Sequence, residues 1–190
     1  MNKDDSLKKV ILSSNYIYQG KIIKLRKDRV KLPDGMETER EIVEHPGAVA
    51  ILAMTDDQKL VMIRQFREPA NEVLWELPAG TVEKGEDLIK CAKRELEEET
   101  GYHPRKIEKL ISFFSSPGFC NERLTLFLAE DLEERSKNED ADEFIQVKNL
   151  QISEVIKMMK RNIIKDAKTI IGILYLVLSS KYGEQVIGND

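Results

Sequence analysis

The chain has 190 residues, 41% of them hydrophobic, which is enough to bury one substantial core with a small extra lobe and too few for three domains. Thirty Lys and Arg against 34 Asp and Glu give a net charge of −4, so no overall positive field exists to collect nucleic acid or anionic lipid, and neither is expected as a partner. The longest nearly unbroken apolar run, Ile170 to Leu178, is far shorter than a membrane-spanning helix needs, and two cysteines, Cys91 and Cys120, make neither a disulfide framework nor a CxxC metal pair.

The amino terminus, Met1 to Ser6, is polar and carries no apolar stretch followed by a small-residue cleavage site, which together with the sparse cysteines fits a cytoplasmic protein. Tyr16 to Arg26 is rich in β-formers and is followed by Arg29 to Leu32, by Pro33-Asp34-Gly35 and by Met36 to Glu44. Pro-Asp-Gly between extended runs is turn chemistry, so this region reads as a small antiparallel sheet of two or three strands. The breaker cluster His45-Pro46-Gly47 ends it and divides residues 1–45, an N-terminal β-sheet lobe, from residues 46–190. Gly47 to Met54 and Lys59 to Phe66 are apolar strands joined through Thr55 to Gln58, as in a hairpin. Glu86 to Thr100 reads as a helix closed by Gly101, in the place of a C-cap glycine. Further extended segments fall at Ile107 to Phe114, Leu124 to Ala129 and Phe144 to Val147, with the charged stretch Glu130 to Asp142 as a mobile surface loop. Helices Ser153 to Arg161 and Asp166 to Ser180 follow, each opening at a capping residue. The expectation is an α/β fold with helices on both faces of a mixed sheet, plus the small N-terminal antiparallel sheet.

One helix carries its charges on an unusual side. At 100° per residue, with Leu88 at 0°, Ala92 falls at about +40°, Cys91 at about −60°, Glu95 at about −20° and Glu99 at about +20°. Two carboxylates at i, i+4 therefore continue the apolar face, with Glu98 flanking them at about −80°. Like charges at that spacing and acids near a helix C-terminus cost a few tenths of a kcal/mol each, roughly, but desolvating a carboxylate costs several. On its own a glutamate run more often marks a solvated face. If this face is turned inward, a cation must compensate. By the same geometry Arg94, Lys93 and Lys90 lie on other sides of the helix and are poorly placed to do so, and a hard divalent ion bridging to a phosphate would supply the charge.

Gly80, Glu86 and Arg94-Glu95-Leu96-x-Glu98-Glu99-x-Gly101 stand at the spacings G-x5-E-x7-R-E-U-x-E-E-x-G-U, and in this the chain resembles the Nudix hydrolases, with Tyr102 where an aliphatic residue is usual. The resemblance implies an α/β/α sandwich that hydrolyses a nucleoside diphosphate linked to another moiety, with Mg²⁺ or Mn²⁺. Carried over to these residues, it makes Glu95 and Glu99 the principal metal ligands, with Glu98 and the Ala79 carbonyl nearby. Arg94 would orient the glutamates by ion pairing, and Gly80 and Gly101 would permit the strand-to-loop and helix-exit conformations. Cys91 reads as a small buried hydrophobe and not a nucleophile.

Glu76-Leu77-Pro78-Ala79-Gly80, the segment Ser116 to Glu122 with Pro117 sixteen residues beyond Gly101, and the extension around Tyr16 to Lys21 look like ADP-ribose pyrophosphatases. That resemblance implies hydrolysis of ADP-ribose to AMP and ribose 5-phosphate. It also implies an acidic residue beyond the box as general base and metal ligand, best matched by Glu143 and next by Glu139. Arg67 and, more weakly, Arg40 are candidates for phosphate contact, because a planar fork suits phosphate oxygens. Ser116, Gly118 and Glu122 would line the substrate, and Tyr16 or Tyr18 would stack on adenine. Trp75 reads as a packing residue. Members of that group are homodimers, and a sheet as small as Tyr16 to Glu44 cannot bury its own core, so a homodimer is expected. The competing readings are hydrolysis of another nucleotide sugar such as GDP-mannose or of a dinucleotide, and a non-enzymatic nucleotide-binding regulator.

Overall fold

The computed structural model describes residues 7–135 and 144–179. It divides into two compact units: the described residues up to Gly47 with Phe114–Arg123, and Ala48–Phe113 with the remainder from Leu124.

The first unit is a three-stranded antiparallel sheet in the order β1-β2-β3, formed by β1 (Val10–Gln19), β2 (Lys24–Lys31) and β3 (Glu37–Glu44). The stretch Tyr16 to Arg26, read from sequence as rich in β-formers, is the end of β1, a turn and the start of β2. Ile22 and Ile23 supply β-forming side chains there, but Gly20 N–H donates to the Ile23 carbonyl at 2.9 Å and closes the turn. The Pro33-Asp34-Gly35 turn forms as expected, with Gly35 N–H on the Leu32 carbonyl and Leu32 N–H on that of Met36. Every residue of β1 is exposed, including Val10, Ile11, Leu12, Tyr16, Ile17 and Tyr18. Cys120 makes a parallel bridge to Val43, so the segment Phe114–Arg123 leans on β3.

The second unit is layered. β4 (Ala48–Ala53) is buried throughout and lies parallel to β9 (Arg123–Glu134) and antiparallel to β7 (Ala79–Thr81) in the order β7-β4-β9-β8, with β8 spanning Tyr102–Phe114. β5 (Lys59–Arg67) belongs to a different sheet, β10-β5-β6, with β6 at Glu72–Glu76 and β10 at Gln146–Gln151. The expected β4/β5 hairpin is thus corrected: its turn exists, but the strands meet only in the Met54–Leu60 bridge and then part into separate sheets. The reason is burial: residues 48–53 are enclosed on both faces, so β4 takes a central position and a partner distant in sequence. Alternation divides the core accordingly. Val49, Ile51 and Ala53 pack with Cys91, Ala92 and Leu96 of α1 (Leu88–Thr100), whereas Ala50 and Leu52 pack with Val155 of α2 (Ile152–Lys160) and Ile173 and Leu176 of α3 (Ala167–Leu178). Helices therefore cover both faces of a mixed sheet, as expected.

Several boundaries differ from expectation. α1 starts at Leu88, because Asp87 caps it by accepting Ile89 and Lys90 N–H groups, which leaves Glu86 outside the helix. α2 starts at Ile152 behind Gln151, which makes no side-chain cap, so Ser153 is not its capping residue. Asp166 does cap α3. β9 continues through Glu134, taking the first part of the expected loop into the sheet, while residues 136–143 lie outside the described residues.

Candidate active site

The face computed for α1 is present. Its buried residues are Cys91, Ala92, Leu96 and Glu99, so a glutamate closes the apolar stripe, and Glu99 is 3% exposed. Glu99 Oε2 accepts the Ala79 N–H at 2.9 Å, which ties the carboxylate to the backbone of β7. The Glu95 side chain is 14% exposed, and Glu98 is the most open of the three.

Gly80 has a role different from the one expected. Its backbone is not left-handed; the reason for glycine is space, since a Cβ there would lie 1.9 Å from Glu95 Cδ and 2.1 Å from Oε2. The Glu95 carboxylate fills the volume a side chain would need. Gly101 does behave as a helix exit, at φ 76°, with its N–H on the Glu97 carbonyl.

Arg94 corrects the helical-wheel expectation that helix neighbours are poorly placed to compensate these charges, and makes the ion pairs that the family resemblance implied. Its guanidinium reaches Glu86 through Nε (2.9 Å) and Nη2 (3.1 Å), Glu98 through Nη1 (2.8 Å) and Glu95 Oε1 through Nη2 (2.9 Å). Angular position at the backbone does not limit a side chain this long. Because Asp87 keeps Glu86 out of the helix, its carboxylate is at liberty to turn onto Arg94 and to accept Glu83 N–H. The Arg94 hydrogen bonds hold the Glu86 carboxyl down at about 2, and pairing with Glu86 first, then Glu95 and Glu98, raises the Arg94 guanidinium against the cost of its burial. The Cys91 thiol, fully buried and beside Glu86, is pushed up to about 12, which removes it as a nucleophile.

A second charged group surrounds Glu76 at the end of β6. Arg67 donates to both its oxygens, Nε to Oε1 and Nη2 to Oε2, each at 2.8 Å, and Lys168 Nζ contacts Oε2. Burial pushes the Glu76 carboxyl up, but Arg67 and Lys168 outweigh it and hold it below its ordinary value. The Arg67 guanidinium is raised by these hydrogen bonds, and Glu99 adds to the field upon it.

Of the remaining predicted residues, Tyr16, Tyr18, Arg40, Ser116, Gly118 and Glu122 fall in the first unit. Tyr16 O–H donates to Glu44 Oε2 at 3.0 Å with Lys24 over its ring, and the Tyr18 ring lies against Gly20. Arg40 is exposed on β3 and donates to the Glu39 carbonyl and Thr38 hydroxyl. The Ser116 carbonyl accepts Phe119 and Cys120 N–H groups in a turn, Gly118 has open space around it, and Glu122 Oε1 lies 3.8 Å from His45 Nδ1. Glu139 and Glu143 lie outside the described residues. In the second unit Trp75 packs on the core, with the Arg64 guanidinium 5.1 Å from its ring centroid. Sequence reasoning missed Glu76, Lys168 and Asp166. An acid between Trp75 and Leu77 in an extended segment was a usable signal for Glu76; nothing local marks the other two.

The box offers carboxylate oxygens and a backbone edge, the donor chemistry a hard divalent cation takes. Among the described residues no three acidic, His or Cys side chains already converge as a ready-made cage. The fit is therefore to an ion that completes its shell with substrate phosphates and water.

Residues 44–171 match the model of the NUDIX domain, and residues 11–43 match that of the nucleoside diphosphate sugar hydrolase N-terminal domain. The chain belongs to the Nudix family. It is 44% identical to an ADP-ribose pyrophosphatase of Bacillus subtilis (strain 168) over 175 residues, 91% of this chain and 95% of that one. It is also 44% identical to a methanol dehydrogenase activator of Bacillus methanolicus over 169 residues, 88% and 91% of the two chains. A crystal structure of an ADP compounds hydrolase superposes with a TM-score of 0.79 at 19% identity, covering 88% of this chain and 91% of that one, which places the fold.

Proposed function

We propose that this protein hydrolyses the diphosphate of ADP-ribose to AMP and ribose 5-phosphate with Mg²⁺ bound at the Nudix box. The observation that carries the reading is the pair of glutamates on α1: Glu99 buried and tied to Ala79 N–H, and Glu95 seated in the space Gly80 leaves. Glu95, Glu99, Glu98 and the Ala79 carbonyl would hold the ion, and Glu143 is a further ligand. When bound, it neutralises phosphate charge and lowers the pKa of water.

The chain's own groups do the rest by positioning. Arg94 spreads over Glu86, Glu95 and Glu98 and orients them. Arg67 presents the edge of its guanidinium that Glu76 does not use, the Nη1 amino group, to a phosphate oxygen. Glu143, with Glu139 as the alternative, accepts the proton of the attacking water. Arg40 is a second, weaker phosphate contact, Ser116, Gly118 and Glu122 line the substrate, and an aromatic, Tyr16 or Tyr18, stacks on adenine. The N-terminal lobe, residues 1–45, serves this recognition and dimerisation, and residues 46–190 catalyse. A homodimer through β1 is supported by that strand's place at a sheet edge and by its exposed apolar side chains, which a second copy would cover. Two cysteines without a disulfide fit the cytoplasm.

Product analysis tests this: purified protein with Mg²⁺ and ADP-ribose, GDP-mannose and dinucleotides in parallel should release AMP from ADP-ribose with the highest kcat/KM. Preference for another substrate replaces ADP-ribose and leaves the box chemistry in place. The name of the Bacillus methanolicus relative favours a second reading, a regulator of another enzyme. No hydrolysis of any nucleotide, with nucleotide binding retained, is the result that would select it.

A further inference from the structure

We infer that Lys168 is a positioning residue for the Arg67 phosphate contact, acting through Glu76. The inference rests on the reading of Arg67 given above and adds to it a residue about a hundred positions away in sequence. Glu76 is 1% exposed, and a carboxylate so far from water is tolerable only when its charge and lone pairs are met. Arg67 meets it from one side as a planar fork, and the Lys168 ammonium, on a side chain 12% exposed, meets Oε2 from another.

The donor inventory gives the geometry a direction. A guanidinium has five N–H donors, and Glu76 engages Nε and Nη2, so the fork can turn neither toward nor away from Glu76 without breaking a bond. Nη1 is then held at a fixed heading, and the Glu99 carboxylate is near enough to act on the same guanidinium. A carboxylate shared with a second cation quenches less of Arg67's positive charge than one devoted to it alone. The other anion at Lys168 is Asp166, 3.1 Å away, and its Oδ2 also caps α3 by accepting Thr169 N–H and O–H. Thr169 Oγ1 in turn accepts Leu77 N–H at 2.9 Å, so the first turn of α3 grips both the side chain of Glu76 and the backbone of the next residue. The opposite view, that Lys168 only stabilises the fold, makes different kinetics.

The test is a double-mutant cycle on the full chain with ADP-ribose and Mg²⁺, measuring KM and kcat with thermal melting as a control. Lys168→Met should raise KM about tenfold, the worth of a charge-assisted hydrogen bond, with kcat within about twofold of wild type. Lys168→Arg should recover most of the loss. Arg67→Met/Lys168→Met should be no worse than Arg67→Met alone, because the two residues act in series. Multiplying effects in the double variant, or a folded Lys168→Met with unchanged KM beside an Arg67→Met with raised KM, overturns the role of Lys168 and leaves Arg67 as read. An unchanged KM in Arg67→Met overturns the Arg67 reading and this inference together. If Lys168→Met does not fold, Lys168→Gln, which keeps a donor for Glu76 without the charge, takes its place with the same expected rise.

Discussion

Arg94 and Glu76 are opposite kinds of hub. One guanidinium is shared by three carboxylates, Glu86, Glu95 and Glu98, with buried Glu99 one turn further on; one carboxylate is shared by two cations, Arg67 and Lys168. The first leaves negative charge in excess and suits a metal cation; the second, with Asp166 also on Lys168, balances in charge, and what it leaves over is the Nη1 donor of Arg67 outside the Glu76 fork, which suits a phosphate oxygen. The lesson is that an ion network at a site is described by the charge or the donors it leaves unused, whereas a purely structural network closes on itself.

The largest break of this comparison is Glu99→Gln, which removes charge from the negative side while keeping the acceptor for Ala79 N–H. Turnover should fall by at least about 10²-fold with little change in melting temperature. An unaltered rate in initial-velocity assays would sink the assignment of the box. Gly80→Ala comes next. Its methyl must displace the Glu95 carboxylate, the mobile end of a flexible side chain, so the fold should survive while activity drops about tenfold or more and the Mg²⁺ needed for half-maximal rate rises.

A smaller effect concerns acid stability. The Glu86 carboxyl is depressed from 4.5 to about 2, so its pairing with Arg94 stabilises the fold fully above pH 4.5 and is lost as the pH falls through about 2. The stability gap between wild type and Arg94→Ala, from urea titrations, should therefore narrow between pH 6 and pH 3; a gap independent of pH would contradict the pairing. The smallest concerns the thiols. A maleimide at pH 8 should label half-buried Cys120 in the native protein and leave Cys91 untouched until unfolding, with mass spectrometry of the peptides as the readout.

Much of the negative side was legible in advance. The inward turn of Glu95 and Glu99 follows from the 3.6-residue period, and the Nudix spacing supplied the chemistry. What escaped was contact across distance. Glu76 meets Arg67 nine residues back and Lys168 92 residues on, and no local pattern encodes either pairing. The ion pairing of Arg94 was implied by the family resemblance but not by the helical wheel, because a wheel records where a side chain leaves the backbone and not where a long one ends. Gly80 was assigned to backbone freedom when its role is to make room for a carboxylate, and only packing can tell these apart. The two-sheet parting of β4 and β5 escaped for a related reason: a turn signal specifies the bend, and burial decides which strands then pair.

The hydroxyl of Thr169 on the Leu77 amide has a consequence for biosynthesis. The stretch from Glu76 to Gly80 leaves the ribosome early, but the helix that clasps it emerges some ninety residues later, so a nascent chain holds the glutamate box before it holds the hydroxyl that fastens Leu77. Shortening the chain ahead of α3 would yield a protein with every glutamate of the box and an unclasped strand beneath them.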